Sequence, residues 1–426
     1  MPTRCIEPAK APLRAEFRAV PSKSVTHRAL VAAALAAGES EILEPLDAED
    51  TRCTLRAIRA LGVRVDERER AWIVHGSAGA VRGGGVIDLE ASGTSARFLT
   101  ALAALGAQPS SLDGSPRLRE RPMEELIEAL AALGGTIAAT NGRSLPLRAG
   151  GSAVRGGRVA LSGARSSQFA SALLLAAPAF DRGLRLDVLP PRVSFAYVHL
   201  TVRILESFGA VVTRDGEAGF QVAPQTLRGT TLTVEGDHSS ASYLFAAAAI
   251  VGGRVRISGL EAGSLQPDAR FLEDLRSLGC VVAPDDDGVV VEGSGYVPAF
   301  SWDLADAPDL APTAAVLALF ADGPCVLSGL HHLALKESDR LATIRDNLVA
   351  LGARADVHEG SLSVLPPKRG EARGGRIEVA RDHRIAMAFA IAGLVVAGVT
   401  IADPEAVAKS YPAFWDDLAR FVRTEN

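Results

Sequence analysis

A pattern of about 71 residues returns six times in this 426-residue chain, and no other feature restricts its fold so strongly. Helical stretches that end in glycine and run into a strand-like segment recur as AIRALGVRV, ALAALGGTI, ILESFGAVV, DLRSLGCVV and NLVALGARA. Their glycines, Gly62, Gly134, Gly209, Gly279 and Gly352, stand 72, 75, 70 and 73 residues apart. A second series consists of polar residues that open Ala/Leu-rich helices. It runs Ser24, Ser92, Ser166, Ser239, Asp309 and His383, at intervals of 68, 74, 73, 70 and 74. A unit of this kind cannot bury its apolar face alone, so neighbouring copies must bury it together.

Each copy reads as a strand, a buried helix, a strand, an amphipathic helix and two further strands. In the first copy the buried helix covers residues 24–37 and a strand follows near EIL. Leu55, Ile58 and Leu61 then mark one face of the second helix, Gly62 caps it, and VRV and AWIVH continue as strands. The first helix of each copy is apolar nearly all round, as befits a helix enclosed by its own domain. Three copies can enclose three such helices, so six make two domains. The chain is also too long for one ordinary core.

Composition narrows the function. With 48% hydrophobic and 22% charged residues, the chain is that of a soluble globular protein. A net charge of −5 argues against nucleic acid as the main partner but leaves room for a local basic cluster. Cys5, Cys53, Cys280 and Cys325 show no metal or redox spacing and are expected to be reduced thiols. The opening MPTRCIEPAKAPLR lacks the apolar core of a signal peptide, so no export is expected. Residues 385–402 form an uncharged run of 18, the length at which a membrane span is considered. Gly393 and Gly398 interrupt it and its second half is β-branched, which predicts a buried helix followed by a buried strand.

The polar helix starts carry the chemistry. The first supplies Ser22, Lys23, Ser24 and Arg28, the second Ser92, Gly93, Thr94 and Arg97, and the third Ser166, Ser167 and Gln168. Asp237, Ser239 and Ser240 open the fourth, Asp306 and Asp309 precede the fifth, and Arg381, Asp382, His383 and Arg384 open the sixth. Capping predicts Ser, Thr, Asp or Asn at each start and the series mostly obeys it, although it explains only one of the two hydroxyls that flank Lys23. It gives no reason for Lys23, Arg28, Gln168 or Arg384, which are groups that bind oxyanions and hydroxyls. If all six helix N-termini face one gap between the domains, their positive ends gather phosphates or carboxylates there.

Three more segments extend the set. GSPRLRERP places Arg117, Arg119 and Arg121 before a helix expected to begin at Pro122; a solvated charge run suits Arg119. LKESDR, taken as helical, puts Lys336 and Arg340 on one face with Glu337 beside them, a pattern that also suits structural ion pairing. Lys409, just before a Pro-marked turn, reads by itself as a surface lysine.

Together SKSVTHR, SGTSARFL, RERP, SSQF, VEGDHSSASY, KESDRL, DHRIAM and AKSYP resemble the signature segments of the EPSP synthase family, the 3-phosphoshikimate 1-carboxyvinyltransferases among the enolpyruvyl transferases. They occur in family order across essentially the whole chain. The resemblance implies an α/β fold of two domains, each of three βαβαββ repeats around buried parallel helices, an inside-out α/β barrel. One domain would be 21–234 and the other 1–20 plus 235–426, with the active site in the cleft between them. It also implies transfer of the carboxyvinyl group of phosphoenolpyruvate to the 5-hydroxyl of shikimate 3-phosphate, with release of phosphate. The enolpyruvyl transferase that acts on UDP-N-acetylglucosamine shares that fold but resembles this chain less, and a non-catalytic anion-binding protein would need no carboxylate pair.

By the same resemblance Asp309 matches the base that contacts the shikimate hydroxyls and Glu337 the proton donor to carbon. Lys23 would touch both substrates. Gly93, Arg121, Gln168, Arg340, Arg384 and Lys409 match the phosphoenolpyruvate site. Ser24, Arg28, Ser166, Ser167, Ser194, Tyr197 and Lys336 match the shikimate 3-phosphate site, with Lys23, Gln168 and Asp309 shared. His332 stands where some members use asparagine to contact a substrate hydroxyl. PSKS lacks the glycine of the common PGSKS, Ala91 replaces an asparagine, and Phe98 replaces a proline. No metal and no cofactor are implied. The expected partners are the two small-molecule substrates, without nucleic acid or membrane, for a cytoplasmic monomer.

Overall fold

The computed structural model describes residues 2–10, 12–261 and 263–422. It divides into a continuous unit, Pro21–Val234, and a discontinuous one, Met1–Val20 with Glu235–Asn426. The discontinuous unit forms because the chain leaves it after its first strands and returns only at Glu235.

At the centre of the continuous unit lie helices Lys23–Leu35, Gly93–Ala104 and Ser167–Ala176, packed against one another. The discontinuous unit encloses His238–Val251, Ala311–Leu319 and His383–Gly393 in the same way. Alanine permits this density: Ala29, Ala32 and Ala33, like Ala246, Ala247 and Ala248, are completely buried, and their small side chains let backbones approach closely. The outer helices show one buried face, as in Glu49–Ala60, where Cys53, Leu55, Ala57 and Ile58 point inward. All five glycines of the repeat adopt positive φ, between 80° and 103°, where a helix turns into its strand.

Among the described residues six small sheets surround the helices, five of four strands and one of three. In four repeats the strands flanking the inner helix pair in parallel, as Val86–Asp88 does with Ser110–Asp113. At the two crossings the linear reading misplaces a strand. Leu13–Arg18, which precedes the first inner helix, pairs instead with Gly253–Ser258 of the discontinuous unit. Thr231–Thr233 precedes the fourth inner helix but pairs back to Glu39–Leu43. The sixth sheet is completed by Thr3–Cys5, antiparallel to Thr400–Ala402. A β-strand needs a hydrogen-bonded neighbour, and the neighbour nearest in sequence is not the one the fold supplies.

Residues 385–402 resolve as the rest of a buried helix ending at Gly393 and the strand Thr400–Ala402. Among the described residues no helix is long and apolar enough to cross a membrane. Cys53, Cys280 and Cys325 are buried free thiols, whereas Cys5 is exposed.

Candidate active site

Each unit carries candidate side chains at the N-terminal ends of its inner helices and on the segments beside them. In the continuous unit the Ser22 hydroxyl caps the first helix by accepting from the Val25 N–H at 3.4 Å, so the cap is Ser22 rather than Ser24. Lys23 occupies the first helical position, where its Nζ lies 3.1 Å from the carboxylate of Asp50, both side chains largely buried. Asp50 escaped the sequence reading because an acidic residue in a helix's first turn is ordinary.

Arg28 is 2% exposed and none of the described carboxylates pairs with it. Its guanidinium donates to the Thr201 hydroxyl at 2.8 Å and to the carbonyls of Ser24 and Tyr197 at 2.9 and 3.3 Å. The rings of Phe98 and Tyr197 lie 5.1 and 5.5 Å from it. Burial without a counter-charge pulls its pKa down to about 10.

The second and third helix starts interlock. Ser92 and Ser166 are caps, accepting from Ser95 N–H and Gln168 N–H respectively, and Gln168 Nε2 donates to the Thr94 hydroxyl at 3.1 Å. The side chain of Arg121 crosses over Gly93, so that a Cβ there would lie 2.6 Å from its Cζ. Arg97 donates to the carbonyls of Gly93 and Pro122 at 3.0 and 3.1 Å, fixing the glycine relative to the Arg121 loop. Ser167 and Ser194 are buried, while Ser24, Ser166 and Tyr197 are half-buried. Ser194 has a left-handed φ of 54°, a conformation that non-glycine residues adopt only when held there.

Two expectations about the arginine loop change. Arg117 and Arg119 belong to a short helix, Pro116–Glu120, and pair with Glu120 and Asp113 at the surface, and the next helix begins at Glu124, not Pro122. Only Arg121 turns inward.

In the discontinuous unit the centre is Arg340, 1% exposed. Its guanidinium donates to Asp382 at 2.8 Å, to Asp309 at 2.9 Å and to Glu337 at 2.7 Å. Arg384 reaches the other oxygen of Asp309 at 2.8 Å. Lys336 lies 3.9 Å from Asp309, and Lys409 3.8 Å from Glu337. Four cations thus surround three carboxylates. Burial opposes the charge of Asp309, but Arg384, Lys336 and Arg340 outweigh it and hold the carboxyl well below the usual range. Lys409 is buried rather than superficial.

The segment around Glu337 is not helical as expected. Lys336 ends the 3₁₀ turn His331–Leu335, and the helix starts only at Arg340 because Asp339 caps it, accepting from Ala342 N–H at 3.1 Å. Asp309 sits in the 3₁₀ turn Pro308–Leu310 and caps nothing, which leaves its carboxylate to the arginines. Asp382 does the capping for the sixth helix and holds Arg340 as well, a double role hidden by its ordinary capping position. His332 is 3% exposed, and neither ring nitrogen has a hydrogen-bond partner among the described residues. Burial, then Lys336 and His331, push its pKa down to about 3, so the imidazole is neutral.

Comparison with known proteins decides the family. The sequence model of EPSP synthase (3-phosphoshikimate 1-carboxyvinyltransferase) matches residues 8–418. The chain belongs to the EPSP synthase family. It is 43% identical over 412 residues to a 3-phosphoshikimate 1-carboxyvinyltransferase of Methanosphaerula palustris, covering 96% of this chain and 97% of that one. The corresponding protein of Syntrophobacter fumaroxidans is 42% identical over 423 residues, with 98% and 99% covered. Among solved structures, an EPSP synthase from Acinetobacter baumannii superposes with a TM-score of 0.82 at 27% identity, over 99% of this chain and 98% of that one. EPSP synthase architecture therefore accounts for the mixed α/β fold along its whole length.

Proposed function

We propose that the protein transfers the carboxyvinyl group of phosphoenolpyruvate to the 5-hydroxyl of shikimate 3-phosphate and releases phosphate, the sixth step of the shikimate pathway to chorismate and the aromatic amino acids. The observation that carries the reading is the buried Arg340, which holds two non-equivalent carboxylates, Asp309 and Glu337, each beside a second cation. Addition–elimination at an enol carbon needs such a pair.

Asp309 accepts the proton of the 5-hydroxyl as that oxygen attacks C2 of phosphoenolpyruvate. Glu337, which takes up a proton when the phosphoenolpyruvate anion engages Arg340 and Lys409 in its place, delivers it to the methylene carbon. The product of addition is a tetrahedral intermediate. In elimination the Glu337 carboxylate takes a proton back from the new methyl group as the C2–O bond to phosphate breaks, and the departing phosphate takes up the proton held by Asp309 and is stabilised by the Lys23 ammonium. With only its own side chains around it, Asp309 is a weak base. Substrate anions that engage Arg384, Arg340 and Lys336 relax that field, so its basicity returns as the substrates arrive.

Gly93, Arg121, Gln168, Arg340, Arg384 and Lys409 serve phosphoenolpyruvate in this reading. Arg28, with Ser24, Ser166, Ser167, Ser194, Tyr197, His332 and Lys336, serves shikimate 3-phosphate, whose phosphate supplies the counter-charge that Arg28 lacks. The two half-sites act on one pair of substrates, and the domains close on them. The protein works as a cytoplasmic monomer without metal or cofactor.

The decisive assay is phosphate release from phosphoenolpyruvate. Release is expected only with shikimate 3-phosphate and is unchanged by EDTA. Release with UDP-N-acetylglucosamine as acceptor, or loss on chelation, would overturn the reading. Small-angle scattering with shikimate 3-phosphate and a phosphoenolpyruvate mimic should give a smaller radius of gyration, and light scattering a monomeric mass.

A further inference from the structure

The discontinuous unit contains a cavity of about 660 Å³ that no step of this reaction uses. It lies where the inner helices end: Ile250, Leu319 and Val396 come from the last turns of the three helices or just beyond them. The reaction residues sit at the opposite ends of the same helices. A helix of 14 residues such as His238–Val251 separates the two by roughly 20 Å. The size suits a small organic molecule.

Its lining has three parts of different character. The walls are apolar, and Tyr296, Leu365 and Val395, 49%, 44% and 41% exposed, leave large hydrophobic surface at the opening. The floor is negative, because three helix C-termini converge there at the buried Ile250, Leu319 and Val396. Asp322 is exposed at the opening, where its carboxylate accepts from the Tyr296 hydroxyl and from Ala299 N–H. The rim carries Lys368 and Arg369, both exposed, and neither meets a carboxylate among the described residues. Arg256, Arg276, Arg345 and Arg376 of the same unit each do.

We propose that this cavity binds a small amphipathic organic anion, its apolar body inserted among Tyr296, Leu365 and Val395 and its negative head held at the rim by Lys368 and Arg369. The orientation follows from charge: the helix ends repel an anionic head from the floor, and the two rim cations attract it, while the carboxylate at the opening, Asp322, is engaged by the Tyr296 hydroxyl and Ala299 N–H. The continuous unit offers an internal contrast. At the matching helix ends it has a cavity of about 390 Å³, bordered by Leu35, Phe180 and Leu227, whose lining includes no charged residue.

The test uses the full chain with shikimate 3-phosphate and phosphate at saturation, so that the reaction residues are already engaged. Titration with 8-anilinonaphthalene-1-sulfonate should show saturable one-to-one binding by fluorescence. The uncharged N-phenyl-1-naphthylamine, which has the same body without the sulfonate, should bind at least tenfold more weakly. The exposed double variant K368E/R369E should lose at least tenfold in affinity for the sulfonate while phosphate release stays unchanged. Absence of saturable binding, equal affinity for the uncharged probe, or undiminished binding by the double variant would overturn the proposal.

Discussion

The two units present the same helix ends and surround their most deeply buried arginines in opposite ways. In the continuous unit Arg28 is enclosed by hydroxyls, carbonyls and two aromatic rings, with no carboxylate partner among the described residues. In the discontinuous unit Arg340 is enclosed by three carboxylates. A buried cation without a counter-ion is a place that an anion completes. A buried cation with several carboxylates is a scaffold that orients acids and bases. One half thus reads as a binding surface and the other as the place where protons move.

The sharpest way to break this contrast is to delete each arginine. Arg340→Met leaves three buried carboxylates without their shared partner, and a loss of about 3–5 kcal/mol in unfolding free energy is expected. Arg28→Met removes a charge that pairs with none of the described carboxylates, so its stability should stay within about 1 kcal/mol of the parent while shikimate 3-phosphate binding collapses. Equal losses from the two in denaturant titrations would erase the distinction.

Glu337→Gln tests whether protons move where the carboxylates are. The amide keeps the size and some hydrogen bonding but has no acidic proton, so the single-turnover rate should fall by roughly 10² or more. The dissociation constant for shikimate 3-phosphate should change little. Near-normal turnover with weakened binding would return Glu337 to a purely ion-pairing role.

His332 gives the discontinuous unit a pH signature. Its folded pKa, about 3, lies below the ordinary 6.5, so between those values the unfolded chain binds a proton that the folded one does not. Stability from this group is complete above about pH 6.5 and is lost as pH falls towards 3. His332→Asn should therefore flatten the acid side, gaining about 2 kcal/mol relative to the parent on going from neutral pH to pH 5. Parallel stability curves for the two proteins would contradict this.

The smallest expected effect concerns placement in the continuous unit. Gly93→Ala pushes the flexible end of Arg121 aside, which should raise KM for phosphoenolpyruvate roughly tenfold while melting stays nearly unchanged. A large loss of stability instead would mean that the close approach belongs to the core.

The repeat made the inner helices, the outer helices and their glycine caps legible, because each depends on local periodicity and on a backbone angle that glycine favours. Strand partnership at the crossings was not legible: Leu13–Arg18 looks like any strand before a helix, and only long-range pairing assigns it to Gly253–Ser258. The charged residues were visible, but their division of labour was not. Asp50 and Asp382 occupy positions where acidic residues are common at helix starts, and nothing local distinguishes a first-turn acid from one that also grips Lys23, or a cap from one that also grips Arg340. The Lys336–Glu337 segment misled for a related reason, since a helical spacing of charges says nothing about a capping Asp339 that delays the helix.

The exchanged strands bear on how the chain is made. Thr3–Cys5 and Leu13–Arg18 leave the ribosome well before their partners, Thr400–Ala402 and Gly253–Ser258. At an elongation rate of about 5–20 residues per second, the second strand waits on the order of tens of seconds for its neighbour, and the first longer still. The continuous unit can be complete during that interval. The N-terminal ribbon meanwhile remains an unpaired edge open to wrong pairing, and the positive charges of Arg14 and Arg18 along it are the kind of gatekeepers that keep such an edge soluble until its sheet arrives.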